Sequence, residues 1–375
     1  MLGGCDAGER DNILLDKPPL HVTEVLASVG LDADGFPVRE PLEANGATEG
    51  VLPTSSLTVR FDRYLDPVTV SRQSFCLSGT TTAVADPTQC VEGRVFEQPL
   101  YDPIRRTVTL YSLANDPLPL GTKHSLTMLA PPPEDGDLVY GFRAFDGAPL
   151  EETFAIQFTT AGSDDPDAPF ERPPTAESFC GDGGCANGSA ITPEAAACRA
   201  ACDPDDEQVA TCLTDCCPRS VQAILLGCSY ATCHAAGSLN DAPLGAAMGL
   251  DMSTAQLVRL TAVGRVAHQT QQGEHAALAD RNPARFGRAM PIIDPQNAGN
   301  SYMLYKLMAH STYADTVGEV DRAEVARMRN ALVVGMQMPA TATPQLRERK
   351  GTPSLNDYDT LSAWISQGAS APNCK

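Results

Sequence analysis

The apolar positions in the first half of the chain follow the pattern of half-buried strands. Apolar residues alternate with polar ones in four segments, 56–61, 106–111, 125–129 and 153–159. This period-two alternation, with turn residues between the segments, is typical of strands that bury one face. Several such strands within 22–161 predict an all-β sandwich.

The spacing of apolar residues changes to that of helices after about residue 218. Val221, Ile224 and Leu225 lie three and four positions apart, on one face of a predicted helix. A closing helix is predicted near the end of the chain, capped by Asn356 and stopped by Gly368. The sequence therefore predicts a multidomain protein, a sandwich followed by a mainly α domain.

Composition adds domain boundaries to this picture. A polar segment precedes the sandwich, an Asp- and Pro-rich linker follows it, and a cysteine-rich helical insert precedes the α domain. The predicted segments are 1–21, 22–161, 162–179, 180–217 and 218–375.

The net charge of -20 argues against nucleic acid and anionic membrane surfaces as partners, because both require cationic contacts. No run of about 18 apolar residues occurs, as a membrane-spanning helix would need. The chain has 13 cysteines, densely clustered between Cys180 and Cys233, which indicates an oxidising compartment.

The insert offers two cysteine pairs with helical spacing. Cys198 and Cys202 lie four residues apart, as do Cys212 and Cys216, and the DPDDEQ segment between the pairs predicts a turn. Two short antiparallel helices stapled by Cys198–Cys216 and Cys202–Cys212 are expected, because so small an element needs cross-links. A metal cluster is the competing interpretation, although no histidine lies in the insert.

Three further cysteines have distinct interpretations. Cys76 and Cys90 flank a turn-rich stretch and are expected to pair, two buried free thiols being the alternative. Leu2-Gly3-Gly4-Cys5 resembles a bacterial lipobox, in which the cysteine is lipid-modified, although no basic and apolar leader segments precede it. The resemblance implies a lipid anchor at Cys5, with ordinary cysteine as the alternative.

Cys228-Ser-Tyr-Ala-Thr-Cys233-His234 is the segment that carries chemistry. A c-type haem is held by two cysteine thioethers, and the histidine after the second cysteine binds the iron. The usual spacer has two residues and this one has four. A disulfide between Cys228 and Cys233 is the alternative, and a zinc site that adds another histidine is a third interpretation.

A sixth iron ligand is expected downstream. Met338 precedes Pro339 and suits the role, because a thioether opposite imidazole leaves no open position and favours electron transfer. The rival ligands are Met290, Met336, His268, His275 and His310.

Residues 50–161 resemble the bacterial Ig-like domain of surface proteins. The resemblance lies in "SSLTVRFDRYLDPVTVSRQSFCL", "TVTLYSLANDPLPLGTKHSLTML" and "FAIQFTTAG". It implies a spacer or adhesion role without catalysis.

Residues 221–371 are similar to the cytochrome-c-like domain of secreted planctomycete and myxobacterial proteins. The similarity lies in "VQAILLGCSYATCH", "IIDPQNAGNSYMLYKL", "GMQMPA" and "LNDYDTLSAWISQGA". It implies covalent haem c on Cys228, Cys233 and His234, with Met338 as the distal ligand.

The expected function is that of an electron-transfer lipoprotein in the envelope of a Gram-negative bacterium, periplasmic or at the cell surface. Its partners would be a redox protein of unknown identity and the membrane, through the lipid anchor. The alternative is a haem-free structural or adhesion lipoprotein. The sequence contains no phosphate-binding loop, nucleophile elbow or His-Glu-x-x-His motif, and no enzymatic activity is predicted.

Overall fold

The described residues form two compact units. The structure, a computed structural model, describes residues 17–32, 37–44, 46–79, 84–90, 93–94, 96–113, 116–132, 140–163, 170–171, 179, 220–228, 238–239, 242–243, 249–267, 290–309, 313, 322–331 and 355–372. Those up to residue 171 belong to the first unit and those from residue 179 to the second.

The first unit consists of two antiparallel sheets. Its strands are β1 (Val22–Leu31), β2 (Pro37–Pro41), β3 (Leu57–Phe61), β4 (Phe75–Ser78), β5 (Leu100–Asp102), β6 (Thr107–Leu110), β7 (Lys123–Met128) and β8 (Phe154–Thr159). One sheet has the order β2-β1-β3-β6-β5 and the other has the order β4-β7-β8. The four segments with alternating apolar residues are therefore confirmed as strands.

Both sheets contribute to the same hydrophobic core. Val59 and Val108 are paired neighbours in the five-stranded sheet and are fully buried, and Leu126 and Ile156 are paired neighbours in the other. All four belong to one cluster, which makes the unit a two-layer β-sandwich. This confirms the β-rich part of the predicted fold class.

Phe142 lies between the two sheets. Its ring centroid is 5.1 Å from that of Phe61 in β3 and 4.8 Å from that of Phe75 in β4. Such aromatic pairs add to the free energy gained from burial alone. The Phe142 side chain therefore holds the layers together at this end of the core.

The Leu-Asp-Pro segment that follows β3 forms a capped turn. The Asp66 carboxylate accepts a hydrogen bond of 3.2 Å from the backbone nitrogen of Val68, and Pro67 begins a 3₁₀ turn that ends at Thr69. Proline fits the first position of such a turn because its missing N–H has no partner there to lose. The motif therefore turns the chain between β3 and β4.

Cys76 and Cys90, the pair suggested by the sequence, form a disulfide. Cys76 lies in β4 and packs in a small cluster with Val84 and Leu129, against which Cys90 and Tyr140 are also packed. The bond fastens the segment after β4 to the three-stranded sheet.

The second unit is built mainly of helices in its described part. They are α1 (Val221–Cys228), α2 (Ala255–Thr261), α3 (Tyr302–Met308), α4 (Arg322–Ala331) and α5 (Leu355–Ser366). A short antiparallel hairpin accompanies them, formed by β9 (Ser238–Leu239) and β10 (Ala242–Pro243). It was not predicted, since strands of two residues show no alternation. Among the described helices, none has the length and apolar character needed to cross a bilayer.

Candidate functional site

The structure describes the start of the predicted haem segment. Cys228 is the last residue of α1, and the described chain stops there. Cys233, His234 and Met338 lie outside the described residues, so their predicted roles stay predictions. The same is true of four of the rival ligands, Met336, His268, His275 and His310, of Cys5, and of the insert cysteines Cys198, Cys202, Cys212 and Cys216.

Helix α1 is positioned by its apolar face. Val221 and Leu225 are fully buried and Ile224 is 4% exposed, as the three-four spacing predicts. The backbone nitrogen of Gln222 donates to the carbonyl oxygen of Phe179 at 3.1 Å. This bond satisfies one of the N–H groups of the first helical turn, which have no acceptor within the helix. The segment that begins at Cys228 therefore leaves from a helix that is fixed at its other end.

The closing helix α5 packs against α1. Its buried face includes Leu361, Trp364 and Ile365. The Trp364 ring lies 5.7 Å from that of Phe179, and its Nε1 donates to the carbonyl oxygen of Ser370 at 2.8 Å. The indole therefore has both an apolar contact and a partner for its N–H, as buried tryptophans require.

The ends of α5 agree with the sequence in one case and differ in the other. Gly368 has a φ of +101° and its nitrogen donates to the carbonyl oxygen of Ile365, which is a glycine-based helix stop. The predicted cap, Asn356, is not outside the helix, because α5 begins one residue earlier at Leu355. Positional errors of this size are usual at helix starts, where several polar residues compete for the cap.

Helix α3 is almost entirely buried. Its residues from Tyr302 to Met308 are all at most 6% exposed. Ser301, at its start, accepts a hydrogen bond from the Asp294 nitrogen at 2.8 Å and donates to the Asn297 carbonyl at 3.0 Å. The Tyr358 hydroxyl of α5 donates to the Leu307 carbonyl oxygen at 3.3 Å. Helices α3 and α5 therefore contact each other through buried side chains of the second unit.

Met290 is the rival distal ligand that the structure does describe. It is 2% exposed, and its carbonyl oxygen accepts a hydrogen bond of 2.8 Å from the Ala267 nitrogen. A buried thioether is also what ordinary packing produces. Within the described ranges no cluster of three His, Cys, Asp or Glu side chains has the arrangement needed to hold a metal ion.

An ionisable cluster that the sequence did not predict lies on the first unit. His21 binds Asp62 through Nδ1 at 2.7 Å and Glu151 through Nε2 at 2.8 Å. The hydrogen bond to Asp62 is the largest cause that raises the pKa of His21 above its ordinary value. Because the carboxylates lie at opposite nitrogens of the ring, the cluster ties three chain segments together and does not form a common metal centre.

A search against protein-family models found no match, and none of the curated proteins matches the chain. Among solved structures, the N-terminal part of the bacterial S-layer protein SbsC matches 38% of this chain and 24% of that chain, with 15% identity and a TM-score of 0.23. A structure of SbsC domains 1–6 matches 43% of this chain and 15% of that one, at the same identity and TM-score. The chain thus spans at most about a quarter of the length of these structures. A TM-score this low does not establish a shared fold.

Proposed function

We propose that the protein binds one covalently attached haem c in its second unit and transfers electrons in a bacterial cell envelope. The observation that carries the proposal is the position of Cys228 at the end of α1, a helix packed against the closing helix that contains Trp364. A thioether-forming loop needs a rigid start, because two sulfurs and one imidazole must meet the same porphyrin.

The donor chemistry of the segment fits haem c. Cys228 and Cys233 would form the thioethers, His234 would bind the iron, and Met338 would be the distal ligand. The bound group would supply one-electron chemistry at a potential raised by the thioether ligand. The chain's part is to hold these four side chains and to exclude water, and the buried aromatic and methionine residues of α3 and α5 provide an apolar unit for this purpose.

The first unit would act as a spacer. Its two antiparallel sheets around one core support the proposed Ig-like domain, and a lipid on Cys5 would attach the chain to a membrane. The Cys76–Cys90 disulfide supports an oxidising location, periplasmic or at the surface of a Gram-negative cell. A redox protein of unknown identity would be the electron-transfer partner.

A structural or adhesion role without haem is the second candidate. It is favoured by the same sandwich, whose core and disulfide provide a stable element with no need of a cofactor. In that case Cys228 and Cys233 would form a disulfide across a short loop, and the electron-carrier function would be absent.

Expression with a cytochrome c maturation system distinguishes the two candidates. Haem attachment predicts a Soret band that survives denaturation and acid-acetone extraction. The band should be lost when Cys228 and Cys233 are both replaced by serine, because either thioether alone would keep the haem covalently bound. Met338→Leu should remove the spectral signature of methionine ligation, while Met336→Leu, two residues away, should retain it. A colourless, correctly matured protein whose mass shows Cys228 and Cys233 oxidised would overturn the haem proposal.

A further inference from the structure

The outer face of the five-stranded sheet carries a row of polar side chains. Leu57 and Val59 of β3 are in the core, so the alternation of a strand places Ser56 and Thr58 on the opposite face. Thr109 of β6 shares this face, with its hydroxyl 3.1 Å from that of Thr58. Both faces of β3 are therefore specified, one for packing and the other for hydrogen bonding.

Arg39 of β2 reaches across this row. Its NH1 donates to the Thr58 hydroxyl at 3.0 Å and its NH2 donates to the Ser56 hydroxyl at 2.7 Å. The side chain is 36% exposed, so its guanidinium lies at the edge of the surface with its donors already oriented. A planar guanidinium held in this way is suited to bind a carboxylate.

The carboxylate that binds there belongs to Glu171, 132 residues further along the chain. Its Oε2 lies 2.5 Å from Arg39 NH2 and 2.5 Å from the Ser56 hydroxyl, and its Oε1 accepts from the Ser28 hydroxyl. The Glu171 backbone nitrogen donates to the carbonyl oxygen of Thr54 at 3.3 Å. Three side-chain donors and one backbone contact therefore hold this residue.

We propose that Arg39, Ser56 and Ser28 form a carboxylate-binding site whose ligand is Glu171 of the same chain. The site docks the segment that leaves β8 on the outer face of the sheet. One residue of the predicted linker 162–179, Glu171, is therefore anchored to the sandwich. This inference is independent of haem binding.

Burial separates this site from an ordinary surface ion pair. The Glu171 side chain is 6% exposed, and a carboxylate removed from water to this extent requires its partners. Exposed pairs, by contrast, contribute little. Tyr111 shows that the surroundings are desolvated, since burial is the main cause that raises its pKa to about 12, with Arg39 opposing the shift and Glu171 adding to it.

Amide hydrogen exchange in the full-length protein tests the proposal. Glu171→Gln and Arg39→Met should each accelerate exchange of the backbone amide of residue 171 by about ten-fold or more, because a buried charge-assisted contact is lost. Chymotrypsin should also cut faster after Phe170. The matched control is Glu152→Gln, which removes an exposed carboxylate of the same unit and should leave both rates unchanged.

Arg39→Lys adds a graded comparison, because lysine keeps the charge but not the planar fork. In Arg39→Lys the exchange rate of the residue-171 amide should lie between the rates in the unmodified protein and in Arg39→Met. Faster exchange throughout β3 would show that Arg39→Met unfolds the sandwich, and the milder Glu171→Gln then decides. If Glu171→Gln changes the exchange rate of the residue-171 backbone amide by less than two-fold while the amides of β3 stay protected, the docking site does not exist.

Discussion

A buried ion pair in the first unit gives the sharpest stability prediction. Arg63 and Asp146 are 2% and 1% exposed, and Arg63 NH2 lies 2.6 Å from Asp146 Oδ2. Arg63 NH1 also donates to the carbonyl oxygen of Pro18 at 2.5 Å, and the guanidinium lies 5.5 Å from the Phe145 ring centroid. The pair therefore fixes the chain as it enters the sandwich.

Asp146→Asn should destabilise the unit by about 3–5 kcal/mol, because it leaves the Arg63 cation buried without its counter-charge. The amide is nearly the same shape and can still accept from the Ala148 nitrogen, now 3.0 Å from Asp146 Oδ1, so the electrostatic loss dominates. For a unit of this size the loss corresponds to a fall in Tm of roughly 6–20 °C.

Urea unfolding followed by far-UV circular dichroism, with calorimetry, measures this loss. The single tryptophan of the chain, Trp364, lies in the second unit, so its fluorescence provides an internal control that should change little. The double variant Arg63→Met with Asp146→Asn should be more stable than Asp146→Asn alone, since no charge is then left buried. A cost below about 1 kcal/mol, or costs of the two single substitutions that simply add, would show that Arg63 does not depend on Asp146 as its counter-charge.

Three further measurements address the same unit. Replacing Cys76 and Cys90 by serine should cost about 3 kcal/mol in urea unfolding, because a closed loop of about 15 residues is released, and an unchanged midpoint would contradict this. Burial, with Arg94 as the second cause, lowers the pKa of His124 below its ordinary value. The free energy of unfolding should therefore decrease as the pH falls below 6.5, because the folded state takes up the proton less readily than the unfolded state. His124→Leu should flatten this decrease between about pH 7 and 5. The pKa of His21 is raised, so protonated His21 stabilises the unit fully below pH 6.5, and this stabilisation is lost as the pH rises through the folded-state pKa. His21→Gln should therefore reduce the decrease in unfolding free energy on the alkaline side. Identical stability profiles against pH for the two proteins would exclude a stabilising role of His21.

The strands that the sequence predicted are those whose sequences alternate between apolar and polar residues. Segments 56–61 and 153–159 alternate strictly and appear as β3 and β8. β4 (Phe75–Ser78) was not predicted, because its four residues contain only two large apolar side chains, Phe75 and Leu77, which are too few to establish a period. β5 (Leu100–Asp102) has three residues, too few to establish a period.

The polar clusters were beyond the reach of the sequence for a different reason. Glu171 and Arg39 are separated by 132 positions, and His21 and Glu151 by 130, so no local spacing relates them. Only the sheet topology brings these residues together. The candidate haem segment is the reverse case, because Cys228, Cys233 and His234 are neighbours in sequence and their donor chemistry is evident without a fold.

Oxidation and haem attachment make opposite demands on Cys228 and Cys233. A compartment oxidising enough to form Cys76–Cys90 also favours a disulfide between two nearby thiols, whereas a thioether to a porphyrin vinyl group can form only from a free thiol. The odd number of cysteines in the chain does not decide between a disulfide and haem attachment, since each of them uses both Cys228 and Cys233. The fate of the pair therefore depends on which reaction reaches the thiols first, so protein matured with and without haem supply should differ in the Cys228–Cys233 bond and retain Cys76–Cys90 in both.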